Sequence, residues 1–291
     1  MRQQPRIACV IVNWNGWQDT VKCLDSLQEC PYPRLTAIVV DNGSTNDSMA
    51  RIRAAHPQVT LLEAGKNLGF AGGNNIGIRH ALARGAEYLW LLNNDTEPDP
   101  GALAALVAKA GTDPRIGAVG SVCYYADSPG TVQAWAGGRM NLWIGYGSNA
   151  TEPHPDAWFQ FLYGASLLIA ADALLDAGLL DEGFFHYWEE AELCVRLRKR
   201  GWRLAAAPES RILHKVAGST GRKSPVLDRY FTASGLRMLR LHSPAPWLAM
   251  FLFVAARFTR RMLRFEFSRC GRVWQGIGDY RRTLPVRAKI S

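Results

Sequence analysis

The segment that most constrains the fold is Glu87–Asp95, which reads Glu-Tyr-Leu-Trp-Leu-Leu-Asn-Asn-Asp. Tyr88–Leu92 is an unbroken apolar run with the length and character of a strand that is buried on both faces. Open parallel sheets bind ligands at the carboxyl ends of such strands, which makes Asp95 a candidate ligand of a divalent cation. The alternative is that Asp95 only turns the chain and that Asp99 caps a helix over Pro100–Ala110.

Strand-like and helix-like segments alternate through the first 122 residues. Other apolar runs of strand length lie at Arg6–Val12, Leu35–Val40, Val59–Leu62 and Ile116–Val122. This alternation predicts right-handed βαβ units and a parallel sheet. Polar residues lie just past the carboxyl ends of four successive strands, at Asn13, Asp41, Asn67 and Asp95. We therefore expect one polar site along one edge of the sheet.

The segment Leu68–Asn75 carries three glycines and two asparagines. Its backbone can therefore approach a ligand closely, and we expect a loop here, followed by a helix from about Asn74 to Arg84. The first strand-helix turn lacks the glycine fingerprint of dinucleotide-binding folds, so a single nucleotide is the better fit. A loop that merely turns tightly is the alternative.

Two acidic residues follow an aromatic cluster in the second half of the chain. Phe184–Trp188 contains only aromatic residues and one histidine, and it leads directly into Glu189 and Glu190. Both acids begin a predicted helix, where the helix dipole favours a carboxylate. For Glu192, a surface pair with Arg196 is a sufficient explanation.

The segment Asp127–Trp158 is rich in Gly, Trp, Tyr and Pro. It is expected to be irregular, and its character favours a mobile or substrate-covering segment. Short strands are expected again at Arg203–Ala206 and before His214. A single histidine after an apolar run is more often a packed residue than a ligand.

The net charge of +9 lies in the C-terminal part of the chain, where twelve Lys and Arg residues and only two acids follow Leu236. Trp247–Ala256 is a run of ten apolar residues, followed by four arginines within eight positions. A spanning helix needs about twenty apolar residues, so this segment is expected to lie in the interface of an anionic membrane. A packed helix with a solvated basic face is the alternative. The stretch has no nucleic-acid-binding module.

The cysteine pattern and the start of the chain indicate a cytoplasmic protein. The six cysteines form no C-x-x-C pair and no zinc spacing, so we expect buried thiols in a reducing compartment. The first strand begins after six residues, which leaves no room for a signal peptide. With the basic tail, this predicts a position at the inner face of the cytoplasmic membrane.

Four motifs occur in a specific order: Val39-Val40-Asp41-Asn42-Gly43-Ser44-Thr45, Asn67-Leu68-Gly69-Phe70-Ala71-Gly72-Gly73-Asn74-Asn75, Leu91-Leu92-Asn93-Asn94-Asp95 and Glu189-Glu190-Ala191-Glu192-Leu193-Cys194-Val195-Arg196. This series resembles the family 2 inverting glycosyltransferases of GT-A fold, and most of all their bacterial rhamnosyltransferase branch. The resemblance covers about Ile7 to Thr220.

The resemblance implies an α/β GT-A fold with a Rossmann-like, mostly parallel sheet flanked by helices. Residues 1–222 would form the catalytic domain, with a nucleotide-sugar half at about 1–122 and an acceptor half at about 123–222. Residues 223–291 would form a basic, amphipathic, helical and membrane-associating tail.

The resemblance also implies roles for individual residues. Asp95 would bind Mg²⁺ or Mn²⁺ that bridges the donor diphosphate, and His214 would complete the metal shell. Glu190 would be the general base, with Glu189 as the alternative. The donor site would be lined by Asn13, Asp41, Asn42, Ser44, Asn67, Gly69, Phe70, Ala71, Asn74, Asn93, Asn94 and Asp95.

Two departures from the family pattern matter: the family usually has Asp at the positions of Glu190 and Glu192, and Asn93 stands at the first Asp of the metal motif. The second departure leaves Asp95 as the only carboxylate of the metal motif. Both departures are the features that would support a non-catalytic sugar-nucleotide-binding or membrane scaffold protein.

The implied reaction is the transfer of L-rhamnose from dTDP-L-rhamnose to a saccharide or polyprenyl-diphosphate-linked acceptor, in the synthesis of a cell-envelope polysaccharide such as O-antigen. An inverting transfer needs one carboxylate to accept the proton of the attacking hydroxyl. It also needs positive charge on the departing diphosphate, which a divalent ion supplies. The alternative donor is a UDP- or GDP-activated hexose.

Overall fold

The computed structural model describes residues 4–215 and 224–283. Within these residues the α-helices are α1 Trp17–Gln28, α2 Ser48–Ala55, α3 Gly69–Ala83, α4 Ala102–Ala110, α5 Ala171–Ala177, α6 Glu189–Lys199, α7 Val226–His242, α8 Pro246–Leu263 and α9 Phe267–Arg282. The strands are β1 Ile7–Asn13, β2 Leu35–Asp41, β3 Thr60–Glu63, β4 Tyr88–Asn93, β5 Thr96–Pro98, β6 Ile116–Tyr125, β7 Ser128–Trp135, β8 Gly137–Asn141, β9 Tyr146–Asn149, β10 Phe161–Leu162, β11 Ser166–Ala170 and β12 Arg203–His214. Thr220 and the predicted domain boundary at residue 222 lie outside the described residues.

A nine-stranded sheet forms the centre of the molecule, in the order β3-β2-β1-β4-β11-β6-β12-β5, with β7 paired to β6. Six strands, β1 to β4, β6 and β12, run in the same direction. The other three, β5, β7 and β11, run in the opposite direction. The prediction of a mostly parallel α/β sheet is therefore confirmed. Strands β10, β8 and β9 form a second, antiparallel sheet.

Strand β4 is buried on both faces, as its apolar run predicts. Leu89 and Leu91 pack into the core on one face of the sheet. Trp90 and Leu92 pack into the core on the other face. The indole N–H of Trp90 donates a hydrogen bond of 2.9 Å to Ser166 Oγ on β11, so its polar group is satisfied inside the core.

The expectation of an irregular segment over Asp127–Trp158 is wrong, because most of it forms β7, β8 and β9. The glycines that suggested a loop allow close strand pairing instead. A Cβ on Gly137 would lie 2.1 Å from the carbonyl oxygen of Phe161, and one on Gly138 would lie 1.9 Å from that of Ser148. Only glycine permits these approaches between strands.

The glycine-rich loop expected before Asn74 is also wrong, because α3 begins at Gly69. Its glycines let the helix pack tightly on β1. A Cβ on Gly73 would lie 2.9 Å from Val12 Cγ1, and one on Gly77 would lie 2.4 Å from Val10 Cγ1. Packing therefore overrides the low helix propensity of glycine.

Two further predictions, on the strands after Trp202 and on the cap of α4, are wrong, and the prediction of buried thiols is confirmed for most of the cysteines. The two short strands expected after Trp202 form one strand, β12, with a register shift between Ala207 and Arg211. Helix α4 begins at Ala102 without a side-chain cap, so Asp99 does not cap it. Buried thiols are confirmed for five of the six cysteines, and Cys270 is partly exposed.

The three C-terminal helices pack on one another and on the part of the chain before residue 215. Their shared core contains Leu236, Leu239, Ala249, Phe253 and Tyr280. The guanidinium of Arg237 on α7 binds both carboxylate oxygens of Asp181, at 2.9 and 3.0 Å. Among residues 4–215 and 224–283, no helix is long and apolar enough to cross a membrane.

A buried carboxylate holds these helices together. Asp228 on α7 contacts Arg257 and Arg261 at 2.7 Å and Arg269 at 3.5 Å. Burial lowers the pKa of Arg257 to about 10, although the charge of Asp228 acts to raise it. Asp228 therefore neutralises cations that α8 and α9 bring into a poorly solvated region.

We expect Asp228→Ala to lower the free energy of unfolding by about 3 kcal/mol or more, because it leaves partly buried arginines without their buried counterion. Urea denaturation measures this change. The matched control is Asp47→Ala, which breaks an exposed pair with Arg51 and should cost less than about 1 kcal/mol. Equal effects of the two substitutions would contradict the role given to Asp228.

Candidate active site

The carboxyl ends of β1 and β2 form one edge of the site. Asn13 and Asp41 lie opposite each other in the parallel register. Asn13 Nδ2 donates to Asp41 Oδ1 at 2.9 Å, and Asn13 Oδ1 accepts from the Thr20 hydroxyl at 2.9 Å. Both side chains are buried. This network fixes the carboxylate of Asp41 at the edge of the sheet.

Ser44 continues this network into the turn after β2. Its backbone N–H donates to Asp41 Oδ2 at 3.0 Å, and its hydroxyl accepts from the backbone N–H of Asn15 at 2.8 Å. The turns after β1 and β2 are therefore held together. Asn15 adopts a positive φ of 55°, a conformation in which asparagine is tolerated.

Asn42 ties the turn after β2 to the start of α3. Its Nδ2 donates to Asn67 Oδ1 at 3.1 Å and to the carbonyl of Gly69 at 3.0 Å. Its Oδ1 accepts from the backbone N–H of Leu68 at 2.9 Å. The predicted donor residues Asn42, Asn67 and Gly69 are thus in mutual contact.

The N-terminus of α3 lies against the aromatic segment before α6. The backbone N–H of Phe70 donates to the carbonyl of Phe185 at 2.8 Å. Gly69 has a φ of +74°, and a Cβ there would lie 2.2 Å from the same carbonyl oxygen. Ala71 and Asn74 are buried in the packed part of α3. Of these four predicted donor residues, Gly69, Ala71 and Asn74 are buried and Phe70 is partly exposed.

The end of β4 faces the turn after β1. Asn94 Nδ2 donates to the hydroxyl of Thr20 at 3.1 Å. Here lies a cavity of about 280 Å³, which is lined by Trp14, Asn15, Gly16, Gln18, Asp19, Asn94 and Asp95. Sequence reasoning did not single out Trp14, Gln18 or Asp19, because Trp14 is not a polar residue and Gln18 and Asp19 lie on α1. Asp19 forms an ion pair of 2.8 Å with Lys215, the residue that follows β12.

Asp95 and His214 meet at this end of the sheet. The distance from Asp95 Oδ1 to His214 Nε2 is 3.3 Å, and Asn93 Nδ2 lies 3.5 Å from the same nitrogen. The pairing of β5 with β12 causes this proximity, because it places Thr96 opposite His214. Of the three polar residues after Leu92, Asn93 and Asp95 approach His214 Nε2, and Asn94 and Asp95 line the adjoining cavity.

Gln133 on β7 sets the orientation of His214. Its Nε2 donates to the hydroxyl of Tyr163 at 3.1 Å, so its Oε1 faces His214 Nδ1, at 2.9 Å. In this arrangement Nδ1 carries the hydrogen, and the lone pair of Nε2 points towards Asp95. An N–H bonded to a carbonyl oxygen is the usual support of a metal-binding histidine.

Asp95 and His214 fit two positions of a divalent-cation shell. A carboxylate oxygen and an imidazole lone pair 3.3 Å apart repel unless a cation or a proton lies between them. Within the described part of the chain, no cluster of three or more His, Cys, Asp or Glu side chains offers a complete site. The remaining ligands would therefore be oxygens of a bound diphosphate and water.

The two acids at the start of α6 follow a strained backbone. Tyr187 and Trp188 have φ values of 70° and 72°, which are rare for aromatic residues. Each such conformation costs on the order of 1–3 kcal/mol and persists where the surroundings impose it, often at active sites. The strain lies directly before Glu189 and Glu190 and sets where helix α6 begins.

The carboxylate of Glu190 lies against Gly164. A Cβ on Gly164 would be 3.2 Å from Glu190 Oε1, so any larger residue would press on the acid. Burial raises the pKa of Glu190, although backbone N–H groups, including those of Ala191 and Gly164, act to lower it. Its Oε2 is buried without a hydrogen-bond partner. These features describe a carboxylate with increased basicity and one open acceptor position.

Glu189 lies in a different environment from Glu190. It is almost completely buried, and its Oε2 has no hydrogen-bond partner. Burial raises its pKa well above the usual range, and the charge of Glu190 raises it further. Glu190 is the more accessible of the two.

Tyr163 and Gly164 connect the two ends of the site. Tyr163 packs its ring edge-on against His214, with 5.8 Å between the ring centroids, and Gly164 contacts Glu190. Burial raises the pKa of Tyr163, and the charges of Glu190 and Asp95 both add to this increase. The consecutive residues Tyr163 and Gly164 therefore lie against His214 and Glu190, respectively.

The expected pair of Glu192 with Arg196 forms, at 2.8 Å, but it does not lie at the surface, because the Glu192 side chain is only 3% exposed. Glu192 also accepts a hydrogen bond of 3.0 Å from His242 on α7. Burial acts to raise the pKa of Glu192, but the bond from His242 and the charge of Arg196 bring it below its usual value. Sequence reasoning missed this contact because His242 lies fifty positions away.

Comparison with known proteins identifies the family. Residues 8–166 match the model of Glycosyl transferase family 2, so the chain belongs to this family and is a glycosyltransferase. It is 30% identical over 241 residues to the N-acetylglucosaminyl-diphospho-decaprenol L-rhamnosyltransferase of Mycobacterium tuberculosis, which covers 73% of this chain and 77% of that protein. It is 29% identical over 215 residues to galactofuranosyltransferase GlfT1 of the same species, covering 72% and 69%.

The fold is similar to that of GT-A glycosyltransferases of known structure. The mannosyltransferase PcManGT from Pyrobaculum calidifontis, solved in complex with GDP-Man and Mn²⁺, superposes with a TM-score of 0.61. Its sequence is 18% identical, and the match covers 98% of this chain and 77% of that chain. The recognition of a GT-A fold from the ordered motifs is therefore confirmed.

The buried pair of acids predicts a pH-dependent stability. Glu189 has a raised pKa in the folded protein, so the folded state keeps a proton that the unfolded state releases as the pH rises above the usual carboxyl range, and stability falls. We expect Glu189→Gln to match the wild type near pH 5 and to become more stable than it towards about pH 8. Melting temperatures across this range measure the difference. Glu209→Gln, at an exposed position, should show no such trend, and a constant difference for Glu189→Gln would contradict the assignment.

Proposed function

We propose that this glycosyltransferase is metal-dependent and inverting, and that it moves L-rhamnose from dTDP-L-rhamnose to a saccharide or lipid-linked saccharide. One observation carries the proposal. Asp95 and His214, which fit two positions of a cation shell, lie next to Tyr163, and the buried carboxylate of Glu190 lies against the neighbouring residue Gly164. The similarity to an L-rhamnosyltransferase favours rhamnose as the sugar.

Asp95 and His214 would hold Mg²⁺ or Mn²⁺, with Gln133 fixing the histidine. When bound, the ion supplies positive charge to the departing diphosphate. The Mn²⁺ and GDP-Man bound to PcManGT support a divalent ion in this type of site. Asn93 in place of a second carboxylate removes one negative charge, so more of the charge of the ion remains available to the donor diphosphate.

Glu190 accepts the proton of the acceptor hydroxyl as that oxygen attacks the anomeric carbon. Burial makes it a stronger base than an exposed carboxylate, because its charged form is poorly solvated. Glu189 is more deeply buried and has the pKa raised further, so it stays protonated and does not compete. These differences favour Glu190 over Glu189 as the base.

The donor nucleotide lies along the carboxyl ends of β1, β2 and β4. Asp41, held by Asn13 and Ser44, accepts hydrogen bonds from the ribose or the base. Asn94 lines the cavity of about 280 Å³ with Trp14, whose ring offers an apolar face to a base. Asn42 and Asn67 support the segment that closes this region against α3.

The acceptor is a polyprenyl-diphosphate-linked saccharide at the inner face of the cytoplasmic membrane, in cell-envelope polysaccharide synthesis. The lipid-linked substrate named for the mycobacterial relative supports this. Helices α8 and α9 expose large apolar side chains at Trp247, Leu248, Phe251, Leu252, Met262, Leu263, Phe267 and Trp274. Exposed arginines, such as Arg260 and Arg264, flank them. This combination suits an anionic membrane interface.

The donor is tested by thermal shift against dTDP-, UDP- and GDP-sugars, each with and without Mn²⁺. Ligands that bind only the folded state raise its melting temperature. We expect the largest Mn²⁺-dependent increase with dTDP-L-rhamnose, and its loss in Asp95→Ala. Asp99→Ala, which removes an exposed carboxylate four residues away, is the matched control. A selective shift with a UDP- or GDP-hexose would replace the proposed donor, and no shift at all would favour a scaffold protein.

Glu190→Gln separates binding from chemistry. The substitution keeps the shape of the side chain but removes its basicity, so we expect turnover to fall by about 10²–10⁴-fold. The thermal shift by the donor should remain, because Glu190 acts on the acceptor. Glu209→Gln serves as the control. Retained turnover in Glu190→Gln would exclude Glu190 as the base.

A further inference from the structure

The tip of the β8–β9 hairpin exposes three large apolar side chains within four residues. Trp143, Ile144 and Tyr146 are 54%, 46% and 61% exposed. They do not contribute to the core of the sheet, and clusters of exposed large apolar residues usually mark a contact surface. The proposed reaction does not use them.

The hairpin tip has a defined conformation. The backbone N–H of Trp143 donates to Asn141 Oδ1 at 2.9 Å, which forms a local turn. Gly145 has a φ of +65°, and a Cβ there would lie 2.6 Å from Phe253 Cδ2 and 3.1 Å from Leu239 Cδ1. The tip is therefore packed directly on α7 and α8, and its exposed side chains are displayed from a fixed position.

The tip adjoins the exposed apolar face of α8. Ala249 and Phe253 face the core of the C-terminal helices, while Leu248, Phe251 and Leu252 face outwards. Since the tip contacts Phe253, it lies beside the same turns of α8 that carry these exposed residues. The two segments, about one hundred positions apart in the sequence, thus carry exposed apolar side chains on neighbouring parts of the fold, and we call these side chains together the tip–α8 surface.

We propose that the hairpin tip inserts into the same anionic membrane interface as α8, so that the tip–α8 surface attaches the protein at two points. This inference rests on the proposed membrane association. A lipid surface fits better than a second copy of the chain, because the arginine-rich faces of two copies would repel each other. Anionic lipids attract these arginines, and Trp and Tyr favour the interfacial region.

The hairpin also connects the membrane interface with the catalytic helix. A Cβ on Gly147 of β9 would lie 3.7 Å from Cη2 of Trp188, which directly precedes Glu189 and Glu190. Attachment at the tip would therefore fix the position of the proposed base relative to the lipid surface. A second contact point also prevents rotation of the catalytic part about α8.

The test is sedimentation of the full-length protein with vesicles of phosphatidylcholine alone and with phosphatidylglycerol added. The variants are Trp143→Ser with Ile144→Ser in the tip, and Phe251→Ser in α8. Leu175→Ser, which removes an exposed apolar side chain of α5, is the matched control. We expect the tip variant and Phe251→Ser each to reduce partitioning to anionic vesicles by about tenfold, because each loses buried apolar area.

The outcomes separate the two proposals. If the wild type does not bind anionic vesicles, the proposed membrane association and this inference both fail. If the wild type binds and Phe251→Ser does not, but the folded tip variant binds like the wild type, only the inference is overturned. A concentration-dependent dimer of the wild type that is lost in the tip variant would likewise overturn it. Melting temperatures confirm that each variant is folded.

Discussion

The antiparallel pairing of β11 with β4 is the constraint on which the site depends. It turns the chain back along the central strand, and the backbone N–H of Asn93 donates to the carbonyl of Ala165 at 3.0 Å. Tyr163 and Gly164 are thereby placed at the end of β4, between His214 and Glu190. A purely parallel arrangement would bring only helix N-termini to this edge, whereas the reversed strand brings Tyr163 and Gly164 to it as well.

The site keeps two carboxylates in an environment that penalises their charge. Burial raises the pKa values of both Glu189 and Glu190, and the backbone before them has two consecutive residues of positive φ. Stability lost here is offset in the core, where both faces of the sheet are covered by apolar side chains. Strained backbone conformations of this kind are common at active sites.

The sequence allowed the sheet and the edge that carries the site to be predicted, because a strand buried on both faces leaves a continuous apolar run that ends abruptly at Asn93. The prediction of a loop before Asn74 was wrong because glycines are poor helix formers in isolation. Only the contacts of Gly73 and Gly77 with β1 explain their presence in α3. The contact of Gln133 with His214 joins residues 81 positions apart. No local pattern encodes such a pair, so it required the structure.

The link between Glu192 and His242 has a consequence for how the chain can be divided. On α7, His242 donates a hydrogen bond to the buried carboxylate of Glu192 on α6, the helix whose first turn carries the proposed base. Arg237, also on α7, binds Asp181. Removing the C-terminal helices would leave both acids without these partners in poorly solvated positions. The C-terminal helices are therefore a structural part of the enzyme, and a fragment shortened before α7 would lack part of its interior.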